Sequence, residues 1–285
     1  MHFYLGLLKI MNKPTFIGIG GQKCASTWLS ECLRSHPDIQ MSTPKELRYF
    51  TDNRPKGLDW YLSFFPNQKG VIHRGEFSSN YIYEPDLPEK IYNEIGAVKI
   101  IAVVRAPSER LLSHVKHLIR DGDLAPLDGV ISRADLVRFI DEFPKLVTNS
   151  KYFDGLSAYK KVFGKPNVFY VSQAACRTNP NLVLSSLWEF LGVAKGIEIP
   201  ELNRTVSVGI IPRSHHLETL RKGLYSIAKA RLPSAINIVR KTGLSRAYRK
   251  FNKGNEIELS SEACEYINKL CETDWEKTKA LLTHR

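Results

Sequence analysis

The sequence predicts an α/β domain of the phosphate-loop kind, with three layers around a central parallel sheet and a helical, basic C-terminal part. Apolar, β-rich runs alternate with helical patterns, which is typical of a parallel sheet covered by helices. The strongest run, "VKIIAVVR" at 98–105, is apolar on both faces, as a buried central strand requires. The first run, "TFIGIG" at 15–20, ends in glycine just before a helix. We predict a single domain, with an α/β core over 14–200 and a helical extension over 201–285.

The elements of the predicted core follow one another along the chain. A helix over 26–35 ends at His36 and Pro37, and a strand follows over 71–77. Pro107 begins a helix that keeps its larger apolar side chains on one face and ends at Gly122. The remaining predictions are a helix over 87–96, a helix over 152–164, a strand over 167–172 and a helix over 181–193.

The composition limits the class of protein. With 285 residues, 43% of them hydrophobic, the chain can form a sizeable core. No apolar run approaches the roughly 18 to 20 residues of a membrane span, and the opening residues lack the basic region and cleavage site of a signal peptide. The five cysteines include no C-x-x-C pair, which indicates reduced thiols and no zinc site. We expect a cytoplasmic protein that starts at Met1 or Met11.

The net charge of +12 is concentrated towards the C-terminus. Residues 213–253 contain eleven Lys and Arg residues against one acid, Glu218. An anionic partner and an ordinary solvated face explain this segment equally well. The pattern over 217–233 is that of a basic amphipathic helix. Packing on the core is its favoured explanation, and peripheral contact with the inner membrane face or with an anionic glycan is the alternative. No nucleic-acid partner is expected.

The loop after the first strand has the composition of an anion cradle. Gly20 and Gly21 allow a tight turn, Lys23 supplies a cation, and Ser26 and Thr27 supply hydroxyls beside the first amides of a helix. An ATP or GTP loop would have Ser or Thr directly after the lysine to bind magnesium, but Cys24 stands there. The loop therefore suits an anion that is handled without a metal. A glycine turn with a solvated lysine is the alternative.

A second cation follows the central strand. Arg105 lies where this strand ends, and Ser113 follows eight residues later in the next helix. Because ligands of α/β sheets bind at the carboxyl ends of the strands, Arg105 is expected in the same crevice as Lys23. Its fork of donors suits a phosphate, and pairing with Glu109 is the alternative. Two phosphate sites suggest a nucleotide that is phosphorylated at both ends.

These residues resemble the sulfotransferases that use 3′-phosphoadenosine 5′-phosphosulfate (PAPS) and release 3′-phosphoadenosine 5′-phosphate (PAP). "GGQKCASTWL" is similar to the family's 5′-phosphosulfate loop, and "VVRAPSERLLSHV" to its 3′-phosphate motif. Three further phrases are similar to segments of carbohydrate-acting or bacterial members: "TPKELRYF" at 43–50, "RGEFSSNYIY" at 74–83 and "NRTVSVGIIPRSHHL" at 203–217. The resemblance implies a soluble, bacterial enzyme that sulfates a hydroxyl of a carbohydrate or glycolipid.

The resemblance also implies roles for donor-binding residues. Lys23 would counter the charge that develops on the leaving phosphate. Arg105 and Ser113 would bind the 3′-phosphate, and Arg213 would close over the nucleotide. The 5′-phosphate would be held by the loop and the helix start, with one side chain near the adenine: Gly21, Gln22, Cys24, Ala25, Ser26, Thr27 and Trp28.

The resemblance also implies roles for residues near the acceptor. Glu76 would be the general base that removes the proton of the acceptor hydroxyl, and His73 is the second candidate. Lys45 would bind the transferring sulfonate, and a solvated lysine is the equal alternative. No metal is implied. The chain departs from the family pattern at Cys24 and Ala25, where glycine or a small hydroxyl is usual; the methyl of Ala25 is tolerable only if that residue avoids positive φ.

Two other classes of function stay open at this point. A nucleotide kinase or NTPase would need a carboxylate for magnesium at a strand end and a hydroxyl directly after Lys23. A non-catalytic polyanion-binding protein would use the basic segment 213–253 and would not depend on Lys23.

Overall fold

The computed structural model describes residues 13–200 apart from 126 and 128, residues 256–284, and positions 217, 220, 221, 223, 252 and 254. The chain forms two compact units. The first contains the described residues of Met1–Arg110, Val147–Val206 and Lys269–Arg285, and the second contains those of Leu111–Leu146 and Ser207–Asn268.

The first unit is built on a parallel five-stranded sheet. Its strands are β1 (Phe16–Gly20), β2 (Ile39–Met41), β3 (His73–Phe77), β4 (Lys99–Val104) and β6 (Val168–Ser172), in the order β2-β3-β1-β4-β6. The predicted α/β fold with a parallel sheet is confirmed. The run at 98–105 forms β4 beside the centre of the sheet, and all of β4 except its first residue is buried. The short strand β2 was not predicted, because three residues are too few to distinguish a strand from a loop.

Each helix that the sequence predicted in the core agrees with the structure within two residues at either end. The matching helices are α1 (Ser26–Arg34), α3 (Leu87–Ile95), α4 (Pro107–Asp121), α7 (Phe153–Phe163) and α9 (Pro180–Leu191). Further helices are α2 (Leu58–Leu62), α5 (Arg133–Glu142), α6 (Lys145–Thr148), α8 (Gln173–Thr178) and α10 (Ser261–Leu281). Helix α10 agrees with a helical C-terminal part, while most of 201–255 lies outside the described residues.

The end of the chain belongs to the first unit because it bonds to the edge strand of the sheet. The Thr283 amide donates to the Tyr170 carbonyl at 2.7 Å, and His284 forms a parallel bridge with Val171 of β6. Residues 269–284 thus stabilise the core rather than being only an appendage to it.

The second unit contains a separate two-stranded parallel sheet. Its strands are β5 (Gly129–Ile131) and β7 (Ile257–Leu259). Ser132 caps α5 by accepting from the Asp135 amide, and Asp135 bonds back to the Ser132 amide, which completes a capping box. In the part of the chain that the structure describes, no helix is long and apolar enough to cross a bilayer.

Candidate active site

The turn after β1 requires both of its glycines. Gly20 has φ of 143°, and a Cβ there would lie 2.8 Å from the Ser79 carbonyl oxygen. A Cβ on Gly21 would lie 2.9 Å from the Tyr83 hydroxyl. Because a side chain at either position would collide with its neighbours, glycine is what allows the loop to lie close against the protein beneath it.

Two residues of the loop adopt the left-handed backbone conformation. Lys23 has φ of 65° and Ala25 has φ of 71°, on either side of Cys24. Ala25 therefore takes the positive φ that its methyl group disfavours, at a cost of about 1–2 kcal/mol. Left-handed residues alternating along a loop turn successive N–H groups towards one point and form a concave anion site. The two positive φ values are thus present here in spite of the missing glycine.

Helix α1 begins with amides that its own cap cannot satisfy. Its N-cap residue is Ala25, whose methyl group accepts no hydrogen bond. The first N–H groups of a helix lack partners within the helix, and they attract anions. The loop and the start of α1 thus present several backbone donors in one place.

The structure brings a second lysine to this loop. Lys45 Nζ lies 3.1 Å from Ser26 Oγ and 3.4 Å from Thr27 Oγ1, and it also contacts Glu46 at 3.4 Å. Burial lowers the pKa of Lys45, and Glu46 opposes that effect. Lys45 therefore lies at the candidate site, and the alternative of a fully solvated lysine does not hold.

Side chains that the sequence did not single out hold the loop from the protein side. The Gln22 amide donates to Tyr83 Oη at 3.1 Å, Asn149 Nδ2 donates to Gln22 Oε1 at 3.3 Å, and Arg110 Nε donates to the Gln22 carbonyl at 3.4 Å. Tyr152 Oη donates to the Arg105 carbonyl at 3.1 Å. These residues come from three separate parts of the chain, so their convergence on the loop depends on the tertiary fold.

Arg105 lies where the sequence placed it, at the end of β4 beside the loop. Its Nη1 donates to the Lys23 carbonyl at 3.4 Å, and its Nε pairs with Glu109 Oε2 at 3.1 Å. The alternative pairing with Glu109 is therefore present. Ser113 belongs to the part of α4 in the second unit, and Arg213 lies outside the described residues.

Glu76 is a fully buried carboxylate in β3. One oxygen accepts from the Tyr61 and Tyr81 hydroxyls at 3.1 and 3.0 Å, and the other accepts from Ser78 Oγ at 2.5 Å and the Leu47 amide at 3.1 Å. Its exposure is 0%. Burial raises the pKa of Glu76 to about 7, although the four hydrogen bonds act in the opposite direction.

A more accessible carboxylate, Glu46, lies next to the loop. Its side chain is 25% exposed. One oxygen contacts Lys45 and accepts from Ser79 Oγ at 2.9 Å, and the other pairs with Arg48 at 3.1 Å. Glu46 was not among the predicted site residues, although it stands directly after Lys45 in the sequence.

The structure shows the surroundings of two further predicted site residues. Trp28 is 7% exposed and packs against the hydrophobic core, and its place near the adenine stays a prediction. His73 begins β3, three residues before Glu76, and is thus about 10 Å nearer the amino end of the strand. Its Nδ1 bonds to Thr15 Oγ1 at 2.9 Å and its Nε2 to the Leu191 carbonyl at 2.6 Å. This position favours Glu76 over His73, whose role as the second candidate base stays a prediction.

Among the described residues, no group of three or more His, Cys, Asp or Glu side chains could hold a metal ion.

Comparison with known proteins gives one family. The model of the sulfotransferase domain family matches residues 13–207, which is more than half of the chain. A bifunctional heparan sulfate N-deacetylase/N-sulfotransferase 1 from Caenorhabditis elegans is 25% identical over 198 residues, covering 66% of this chain and 22% of the relative. The corresponding protein 3 from Mus musculus is 28% identical over 197 residues, covering 64% of this chain and 22% of the relative. The chain thus spans about a fifth of these relatives' length.

Two further similarities complete the comparison. The membrane-associated sulfotransferase kil1 of Dictyostelium discoideum is 33% identical over 108 residues, which cover 37% of this chain and 23% of that protein. The crystal structure of a sulfotransferase from Alicyclobacillus acidocaldarius superposes with a TM-score of 0.60 at 21% identity, covering 79% of this chain and 96% of that chain. This second similarity shows a shared fold.

Proposed function

Because the chain belongs to the sulfotransferase domain family, we propose that it transfers a sulfuryl group from PAPS to a nucleophilic group of a carbohydrate and releases PAP. The observation that carries this proposal is the loop after β1. There, left-handed residues on either side of Cys24 and the uncapped start of α1 collect backbone donors beside two lysines, Lys23 and Lys45. This is the arrangement that a doubly charged phosphosulfate requires.

The residues of the loop fit the donor's 5′ end. Backbone amides from Gly21 to Trp28 would hold the phosphate, and the hydroxyls of Ser26 and Thr27 would add hydrogen bonds. Arg105 would bind the 3′-phosphate, which requires that its guanidinium exchange the Glu109 carboxylate for phosphate oxygens. The roles of Ser113 at the 3′-phosphate and of Arg213 remain predictions from the resemblance.

Lys23 and Lys45 would supply the charge stabilisation. In sulfuryl transfer the bond between sulfur and the bridging phosphate oxygen breaks while sulfur bonds to the acceptor, so negative charge grows on the leaving phosphate. A lysine that is held in place beside that oxygen stabilises the transition state more than the ground state. Lys45 reaches the same place through its contacts with Ser26 and Thr27.

Glu76 is the base that we propose for the acceptor proton. A base works best when its pKa is close to the working pH, and burial gives Glu76 a pKa of about 7. Its burial also means that one of its present donors must give way before an acceptor reaches it. Glu46 is the competing candidate, because it is more accessible than Glu76 and lies next to the loop.

A pair of matched variants separates the two carboxylates. We expect Glu76→Gln to lower the turnover of PAPS at least 100-fold while the affinity for PAP changes less than twofold. Glu46→Gln should retain turnover within about tenfold, because this variant loses a partner of Lys45 but keeps Glu76 as the base. The reverse order of effects would assign the base to Glu46.

The acceptor is proposed to be a carbohydrate hydroxyl, with glycolipids included. The names of two relatives describe heparan sulfate N-sulfotransferases, so a sugar amine is the natural competitor. Radiolabelled PAPS, offered with glucosamine oligosaccharides and with their N-acetylated counterparts, distinguishes these cases. Transfer of label to both oligosaccharides supports a hydroxyl acceptor. Transfer of label to the free-amine oligosaccharides alone would show that the acceptor is a nitrogen. Peptide tyrosine and small alcohols are tested in the same assay as non-carbohydrate acceptors.

A thermal shift experiment tests the donor. PAP in the presence of EDTA is expected to stabilise the protein by several degrees, and ATP with magnesium is expected to have a much smaller effect. A larger shift with ATP and magnesium would support a nucleotide kinase or NTPase instead. A cytoplasmic location, and contact of 213–253 with the inner membrane face, are further proposals that fractionation of the host cell tests.

A further inference from the structure

We propose that Arg110 is a positioning residue for the donor loop: its buried guanidinium orients the Gln22–Lys23 peptide so that the Lys23 amide faces the anion. The proposal concerns how the loop is built, and it rests on the proposed function for the identity of the anion. The family resemblance assigned no role to Arg110.

Arg110 is an unusual residue for its position. It is 0% exposed and is among the largest fully buried side chains of the described protein. Arginine is rarely buried completely without a specific set of partners, because removing the charge from water is costly. Two of these partners are the Gln22 carbonyl, 3.4 Å from Nε, and Ser150 Oγ, 3.3 Å from Nη1. The guanidinium thus lies directly behind the loop.

The hydrogen bond to Gln22 determines which way the next amide points. In a planar trans peptide the C=O of one residue and the N–H of the next point in opposite directions. Because the Gln22 carbonyl points at the buried Arg110, the Lys23 N–H points to the side opposite Arg110. The Cys24 thiol also donates to this carbonyl, at 3.3 Å, which holds the same orientation.

The charge of Arg110 also acts on the groups around it. Burial raises the pKa of Cys24, Tyr83 and Tyr152, and in each case Arg110 acts in the opposite direction by favouring the negative form. A cation that favours negative charge on the protein side of the loop also favours an anion on the other side. This attraction is strong where little water intervenes.

Three variants distinguish positioning from mere support of the fold. Arg110→Gln removes the charge, and Arg110→Lys keeps the charge but not the fork of donors. Leu187→Ala is the control, because Leu187 is fully buried in the core on α9 and its removal should destabilise the protein without contacting the loop. The readouts are the dissociation constant of PAP, the split between KM for PAPS and kcat, and hydrogen exchange of a peptide covering 20–28 in the protein alone.

We expect Arg110→Gln to weaken PAP binding about 10- to 100-fold, to raise KM for PAPS more than it lowers kcat, and to speed exchange over 20–28. Arg110→Lys should restore part of the affinity. Leu187→Ala should lower Tm with PAP affinity and loop exchange unchanged. If Arg110→Gln behaves like Leu187→Ala in all three readouts, the proposal is overturned.

Two further outcomes are that Arg110→Gln does not fold and that the unaltered protein does not bind PAP. If Arg110→Gln does not fold, Ser150→Ala replaces it, because it removes the hydroxyl bound to Nη1. A threefold or greater loss of PAP affinity then supports the proposal, and no loss contradicts it. If the unaltered protein binds no PAP, the proposed function fails. Hydrogen exchange of the peptide covering 20–28, compared between Arg110→Gln and the unaltered protein, then still decides whether Arg110 holds the loop.

Discussion

The neighbouring strands β1 and β3 differ in how accessible the candidate functional groups at their carboxyl ends are. After β1, the chain presents backbone donors and lysines on a loop whose Lys23 is half-buried, and the supporting side chains lie behind it. At the end of β3, the functional candidate Glu76 is fully buried and accepts hydrogen bonds from Tyr61, Tyr81, Ser78 and Leu47. One strand end presents hydrogen-bond donors and cations, while the other keeps its carboxylate away from solvent.

This difference separates binding of the donor from transfer. A preformed anion site binds its ligand without reorganisation. A buried base with a pKa near 7 is kept from water until an acceptor displaces one of its donors. We therefore expect changes at the end of β1 to weaken donor binding and transfer together, and changes at Glu76 to affect transfer alone.

The largest effect is expected from Lys23→Ala. Loss of the cation beside the leaving phosphate should lower kcat/KM for PAPS about 100- to 1000-fold. Lys195→Ala is the matched control, because Lys195 pairs with the exposed Glu189 and should leave activity unchanged. Unchanged turnover in Lys23→Ala would favour the class of non-catalytic polyanion-binding proteins.

A smaller effect is expected from Lys45→Gln. Lys45 contacts the loop through Ser26 and Thr27 rather than through the backbone, so we predict a loss of about tenfold in kcat/KM. Its loss should also leave Glu46 with Arg48 as its cationic partner. Steady-state kinetics with PAPS as the varied substrate measures both constants. A loss as large as that of Lys23→Ala would mean that the two lysines act as one unit.

The sealed carboxylate should also affect stability. The pKa of Glu76 is about 7 in the folded protein and close to 4.5 in the unfolded chain, so the folded state binds more protons between these values. The free energy of unfolding should therefore fall as pH rises from about 4.5 to 7, by on the order of 2–3 kcal/mol from this group. Urea unfolding at pH 5 and pH 8 measures it. Glu76→Gln should remove this contribution; an unaltered pH dependence would show that Glu76 is ionised at low pH.

The smallest effect is expected at Ala25. Ala25→Gly relieves the positive φ of 71° and should raise the free energy of unfolding by about 0.5 kcal/mol, after the greater freedom of glycine in the unfolded chain is subtracted. The reciprocal control is Gly192→Ala, where φ is 76° and a Cβ would have nothing within 4 Å. It should destabilise by about 1 kcal/mol. Equal effects of the same sign would contradict this explanation.

The sequence predicted the strands and helices of the protein better than the packing around the site. Continuous apolar runs identified β1 and β4, and glycine before a helix identified the loop. The position of His73 could also be read from the sequence, since a residue three positions before Glu76 on a strand lies far from the carboxyl end. The burial of Trp28 was readable as well, because Trp28, Leu29, Cys32 and Leu33 have the spacing of one buried helix face.

Other features could not be read from a single sequence. A charged residue in a helix is normally solvated, so nothing marked Arg110 as buried. The four donors to Glu76 come from positions between 47 and 81, and their convergence depends on tertiary packing. The division into two units likewise depends on contacts between distant segments, as the pairing of residues 283 and 284 with β6 illustrates.

The central claim is that this loop binds PAPS and that the protein transfers its sulfuryl group. The most direct test incubates the protein with radiolabelled PAPS and carbohydrate acceptors in EDTA, with Lys23→Ala in parallel. The account predicts labelled carbohydrate and PAP in equal amounts from the unaltered protein, and at least 100-fold less from the variant. Absence of labelled product with every acceptor, together with tighter binding of ATP and magnesium than of PAP, would contradict it.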